Sequence, residues 1–130
     1  MYFYTHQIFF AMKTFILLIV HCLIASYSAF SQKIYSTDAD YKADVKVYVV
    51  DADYKADLLV YKVDADYKAN GNEGKWYFTD ADYKAQKKIY FVDADYKADL
   101  KIFFVDSDYK AKWNKPEKNI YSINVLIIRQ

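Results

Sequence analysis

Cysteine, glycine and proline are scarce in this chain of 130 residues, with one Cys, two Gly and one Pro, and His occurs only twice. A single Cys excludes a disulfide framework. So few glycines and prolines mean that turns must be made by other residues. There is one arginine, Arg129, and 18 basic residues nearly balance 17 acidic ones. A chain of that balance has no field to steer nucleic acid or acidic lipid towards it. Disorder is excluded too, because 55% of the residues are hydrophobic and 20% aromatic, enough apolar surface to offset chain entropy. Fifteen Tyr and nine Phe point to β-structure, where aromatic side chains pack well on a pleated surface.

The N-terminal region reads as targeting sequence. Lys13 precedes the apolar run "FILLIVHCLIASYSAF", which ends in the small-x-small pattern Ala29-Phe30-Ser31. This predicts a hydrophobic signal helix over residues 1–31, cleavage after Ser31, and export to the periplasm or the cell exterior. Met12 opens a conventional "MKTFILL" start, so residues 1–11 read as an extension from a misassigned start. The alternative is an uncleaved membrane anchor, since the apolar run with its flanks approaches the roughly 20 residues a span needs. Without residues 1–31 the chain carries neither His nor Cys, and 17 basic residues face 17 acidic ones. Absence of cysteine is compatible with export, where disulfides are permitted rather than compulsory.

The hexapeptide D-[AS]-D-Y-K-A begins at Asp38, Asp51, Asp64, Asp80, Asp93 and Asp106, at spacings of 13, 13, 16, 13 and 13. Such periodicity defines a repeat architecture. The one longer step holds "NGNEGK", a turn insertion with both glycines of the chain. Before each hexapeptide stands a β-branched or aromatic segment, at 33–37, 46–50, 59–63, 75–79, 88–92 and 101–105, and each predicts a strand. After the loop "KWNKPEK", residues 119–123 repeat the Ile-Tyr-Ser of the first segment and supply a seventh. Read as extended chain, D-A-D-Y-K-A-D puts its charged residues on one face and Ala, Tyr and Ala on the other. The preceding strand buries the opposite parity, so the chain must break at the first Asp, with that side chain bonding nearby backbone in place of a glycine. Helical readings fail, because 13 residues make about 3.6 turns and successive copies would rotate off a common face.

Short strands cannot bury a core alone, so the repeats must pair. The expected fold is all-β: seven short-strand repeats of about 13 residues over 32–123, closed into a small propeller-like ring that removes exposed edges. An apolar tail, 124–130, remains unassigned. The motif K-[IV]-Y-F-V-D-x-D-Y-K-A-D, the G-N-x-G-K-W insertion and the closing Trp-Asn-Lys resemble the bacterial 7(1) septoil knot family, a domain of unknown function. The resemblance covers Lys33 to about Tyr121. It implies a small seven-bladed propeller whose chain winds twice around the ring and leaves a threaded, knotted backbone. It brings no catalytic residue, cofactor or substrate. The sequence departs from it in Ser122 to Gln130 and Met1 to Ala11.

The six D-x-D pairs suggest calcium sites, but each carries a Lys two residues on that competes for the carboxylates, and an EF-hand's Gly and terminal Glu are missing. A structural turn with an ion pair is the expectation. For the repeated Tyr41, Tyr54, Tyr67, Tyr83, Tyr96 and Tyr109, two readings are open. Repeated aromatics in repeat proteins form the shared interior, which predicts packing between the flanking alanines with the hydroxyl at the rim. The alternative makes them candidate ligand-binding platforms for sugars, with avidity from symmetry. "KWYF" and "KKIYF" read as solvated strand edges rather than a nucleic-acid surface. Catalysis needs one asymmetric constellation, and these acids are placed by the repeat. The expected function is an exported, non-catalytic β-repeat scaffold serving structure or interaction, without cofactor or metal. The alternative is a module binding glycan or another cell-surface polymer through repeated Tyr and Asp. No nucleic-acid partner is expected, and membrane contact only through an uncleaved N-terminal segment.

Overall fold

A strand of Lys, Ile, Tyr and Phe in alternation must present one apolar face and one mixed face, and seven strands form among the described residues. A computed structural model describes residues 11–20 and 31–121 of the chain, which divides into two units, 1–30 and 31–130. In the first unit residues 11–20 are helical and expose Phe15, Leu17 and Leu18. No helix among the described residues is long and apolar enough to cross a membrane. The Ala29-Phe30 part of the cleavage pattern and the tail 124–130 lie outside the described residues.

The second unit holds β1 (Lys33–Ser36), β2 (Val45–Val49), β3 (Leu58–Lys62), β4 (Lys75–Phe78), β5 (Lys87–Phe91), β6 (Leu100–Phe104) and β7 (Lys112–Trp113). The first six lie within a residue or so of the expected segments. They run in the order β4-β1-β5-β2-β6-β3, all parallel, and a further β3–β4 pairing closes them into a barrel. Each repeat supplies one strand rather than a blade. The expected seventh strand is corrected: residues 119–121 belong to the 3-10 helix Pro116–Tyr121, where proline lacks the N–H a ladder needs, and residues 122–123 lie outside the described residues. The seventh place is taken by β7, which pairs antiparallel with Leu58 and Leu59 on the edge of β3 whose further residues, Tyr61 and Lys62, pair with β4. Taken as a ring of seven, every strand lies two places on from its predecessor in the chain.

The interleaving explains how parallel strands are joined so briefly. Crossovers between parallel strands ordinarily take a dozen or more residues and a helix. Here residues 37–44 suffice between β1 and β2. A five-residue strand is about 16 Å long and eight extended residues reach about 28 Å, so one 3-10 turn of slack is all the return path allows. Five of the six returns pass over the outer face of the strand they skip, as where Asp40–Lys42 packs on β5, Asp53–Lys55 on β6 and Asp108–Lys110 on β3, whereas Asp66–Lys68, between the paired strands β3 and β4, packs on β4 itself. The register is stepped as well. Ile34 stands opposite Lys87 at the start of β5 and opposite Phe78 at the end of β4, so the strands tilt around a narrow interior.

That interior is filled by Ile34, Val45, Val47, Leu58, Val60, Trp76, Ile89, Leu100 and Ile102. Each fully buried aliphatic side chain stabilises the barrel by about 1.5–3 kcal/mol. Tyr121 closes the mouth where strands begin, beside Gln32 and Lys87. Desolvation pushes the Lys87 ammonium below its ordinary value, opposed by the charge of Asp44. At the other mouth the Lys62 ammonium lies 4.4 Å from the Phe104 ring centre and 5.3 Å from that of Phe78. The insertion between β3 and β4 needs its glycines: Gly71 and Gly74 have φ of +73° and +97°, and a Cβ on Gly74 would collide with the carbonyl oxygen of Leu59.

Candidate functional site

Each hexapeptide makes the same turn. In the first copy the Lys42 and Ala43 N–H groups donate to the carbonyls of Ala39 and Asp40 at 3.2 and 3.1 Å, closing the 3-10 turn Asp40–Lys42. The residue before it is extended, with φ −143° and ψ 142°. The turn therefore corrects the extended reading of D-A-D-Y-K-A-D. Nor does the first Asp cap the turn through its side chain; it binds the lysine four residues on. The six pairs, Asp38–Lys42, Asp51–Lys55, Asp64–Lys68, Asp80–Lys84, Asp93–Lys97 and Asp106–Lys110, are 2.7 to 3.4 Å apart. The lysine's hydrogen bond, and then its charge, hold the Asp38, Asp51, Asp64, Asp93 and Asp106 carboxyls below the ordinary range. Such exposed pairs are screened by solvent and salt, so they set the lysine's position more than they hold the fold.

Between these ends the tyrosine has only one direction left. At the middle of a turn lying outside the barrel, with no further layer above it, the ring points into solvent. Tyr41, Tyr54, Tyr67, Tyr83, Tyr96 and Tyr109 are 71% to 83% exposed, which overturns the expectation that they pack beneath a neighbouring strand. The small alanines do that instead: Ala56 and Ala69 are buried at the same repeat position. In five of the turns the lysine ammonium stands 5.9–6.0 Å from the centre of its neighbouring tyrosine ring, the outer limit of a cation–π contact. The turns are spread around the barrel, one over each of six strands. The tyrosines thus share one environment without meeting in one pocket.

The residue after the hexapeptide has a structural role that its alternation pattern did not disclose. The Asp44 N–H donates to the Lys88 carbonyl at 2.8 Å, and its carboxylate accepts the Lys88 N–H at 2.9 Å. Asp57 grips Lys101, and Asp99 grips Lys46, in the same two-point fashion. These three pincers tie the ends of the returns into β2, β3 and β6 to the strands they have crossed. Asp57 does more. It is fully buried, and the ammonium groups of Lys118 and Lys115 approach its two oxygens at 2.9 and 3.3 Å. Burial alone raises its carboxyl, but the Lys101 N–H and the two ammonium groups together outweigh that and hold it below the ordinary range. Its carbonyl accepts the N–H groups of Asn114 and Lys115, while the Asn114 amide donates to the carbonyls of Asp53 and Ala56. Trp113 completes the clamp by donating its indole N–H to the Asn72 carbonyl of the glycine insertion at 2.6 Å. The "KWNKPEK" loop was the only signal for it in the sequence. Among the described residues no group of three or more Asp, Glu, His or Cys is placed to hold a metal ion.

Fold and surface together define the class: a closed barrel of tandem one-strand repeats, wound so that, with β7 counted in the ring, chain neighbours are two places apart. A family profile for the 7(1) septoil knot domain matches residues 31–114, well over half of the chain. The chain belongs to that family, whose function is unknown. No curated protein and no solved structure matches the chain.

Proposed function

We propose that the 31–121 unit is an exported, non-catalytic scaffold that binds a repetitive cell-surface polymer, a glycan first of all, through its ring of tyrosine turns. The observation that supports this reading most is the exposure of all six turn tyrosines in one conserved local geometry. Burying a large aromatic ring is favourable, and displaying six of them gives up that stabilisation at every repeat. An aromatic face with a carboxylate and an ammonium beside it suits a sugar ring, which offers C–H bonds to the aromatic and hydroxyls to the charged groups. Equivalent sites around a ring let individually weak contacts sum when the ligand is itself repetitive. The apolar helix at 11–20 supports export. The two-place step of the strands around the ring of seven, with Trp113 of β7 bonded to the insertion between β3 and β4, supports a threaded backbone in which the chain is knotted.

A glycan array probed with the protein lacking residues 1–31 tests the reading. Reproducible binding is expected, falling steeply when Tyr54 and Tyr96 are both changed to Ala. Absence of any hit, or hits indifferent to that double change, would overturn it.

A further inference from the structure

Over the six barrel strands, the two outward positions of the repeat are written Lys then Tyr, as in Lys46 and Tyr48 or Lys88 and Tyr90. The pattern is broken twice, at Leu59 and at Phe103. These two departures are 44 residues apart in the chain, yet Leu59 and Phe103 are register partners on β3 and β6. They line one groove of about 610 Å³. A second groove of similar size repeats its plan with the ordinary residues, Tyr48 for Phe103 and Lys101 for Leu59. The repeat has therefore been altered at both places that turn a charged and hydroxylated floor into an apolar one.

The walls of the first groove remain polar. Tyr109 stands on one side with Lys110 and Lys112, and Asp53 of a turn from another repeat stands on the other. Lys110 is paired with Asp106 at 2.7 Å, whereas among the described residues the Asp53 carboxylate has no ion-pair or hydrogen-bond partner. In the corresponding turn of the fourth repeat, Asp82 is approached by Lys88 at 3.9 Å; Leu59 occupies the repeat position of that lysine and offers no such charge. The lining carries two carboxylates and two ammonium groups, so it favours neither a polyanion nor a polycation. The volume lies in the range of small-molecule sites.

We infer that this groove is a specific binding subsite for a neutral sugar carrying a small apolar acyl substituent, an N-acetylated hexosamine unit. The inference rests on the glycan reading above. The substituent's methyl group lies on the Leu59 and Phe103 floor, its amide N–H or a ring hydroxyl donates to Asp53, Tyr109 covers the ring face, and Lys112 donates to the acyl oxygen.

The probe is a tetrasaccharide of N-acetylated hexosamine, titrated into isotopically labelled protein lacking residues 1–31 and followed by amide chemical shifts. Shifts are expected around Asp53, Leu59 and Phe103, with weaker response to the matching glucose tetrasaccharide. Leu59→Lys writes the repeat's own residue at a position that is buried here against Val50 and Ala56, so its amide spectrum must first show the native fold; it is expected to weaken binding by about tenfold or more through loss of the apolar floor and neutralisation of Asp53. Phe103→Tyr, a second restoring change, and Asp53→Asn are each expected to weaken it severalfold. Binding that ignores Leu59→Lys and Asp53→Asn but falls with Tyr54→Ala and Tyr96→Ala overturns the subsite while leaving the ring reading intact. Equal response to acylated and unacylated sugars overturns the acyl specificity. No shifts from either sugar, together with an empty glycan array, overturns both readings.

Discussion

Asp44 and Asp57 hold the same place in the repeat and make the same pair of bonds to a neighbouring strand, yet their surroundings differ. Asp44 is exposed; Asp57 is buried and serves two lysines of the closing segment. Asp44→Ala removes one bond that water replaces and is expected to cost about 1 kcal/mol. Asp57→Ala strands the Lys101 N–H and releases the clamp, at about 3 kcal/mol. Denaturant titration of the two variants measures the difference, and equal losses would mean that Lys115 and Lys118 contribute nothing. The sign of the pH effect follows from the depressed Asp57 carboxyl. Its folded value lies below the unfolded value of about 3.9, so its contribution is complete above the unfolded value and is lost as pH falls through the folded one. The exposed turn aspartates have the same sign but are weakened by salt. In high salt, Asp57→Asn is therefore expected to flatten the fall in melting temperature below about pH 4, and a fall as steep as in the unaltered protein would contradict this. None of this asymmetry was legible in the sequence, because the repeat writes both residues alike and only the remote Lys115 and Lys118 set them apart.

At the scale of elements, the insertion between β3 and β4 is the least forgiving turn. Gly71 and Gly74 both need the left-handed region, but Gly71 faces open space while Gly74 lies against the backbone of β3. Gly71→Ala is expected to cost about 1–2 kcal/mol from conformation alone. Gly74→Ala adds a backbone collision and is expected to cost about 3 kcal/mol or more. Chemical denaturation of both variants checks the order, and a Gly74→Ala protein as stable as Gly71→Ala would show that β3 and β4 do not approach as described. The strands themselves were legible to within a residue, because β-branched and aromatic runs recur at a fixed interval. The turns were not. Asp-Ala-Asp-Tyr-Lys-Ala alternates polar and apolar as a strand does, and its aromatic residue suggests a core position. The outcome is decided by what lies outside the return path, which is water, and that is a property of the assembled barrel. Ile120-Tyr121-Ser122 likewise copied a strand in letters while Pro116 started a 3-10 helix.

For the whole molecule, closure was legible and its membership was not. Equivalent repeats too short to stand alone imply a ring, but no local pattern says that β1 lies beside β4 and β5 rather than beside β2. Only the family resemblance pointed to two circuits. The account depends on this interleaving, since it is what lays five of the six hexapeptides over a skipped strand, the third lying on β4, and turns their tyrosines outward. Backbone NOEs between strands test it most directly. The account predicts parallel-ladder contacts of β1 with β5 near Tyr35 and Lys88, of β5 with β2 near Tyr90 and Lys46, and of β2 with β6 near Tyr48 and Lys101. Ladder contacts between consecutive strands, β1 with β2 or β2 with β3, would contradict it and describe an open stack of repeats instead.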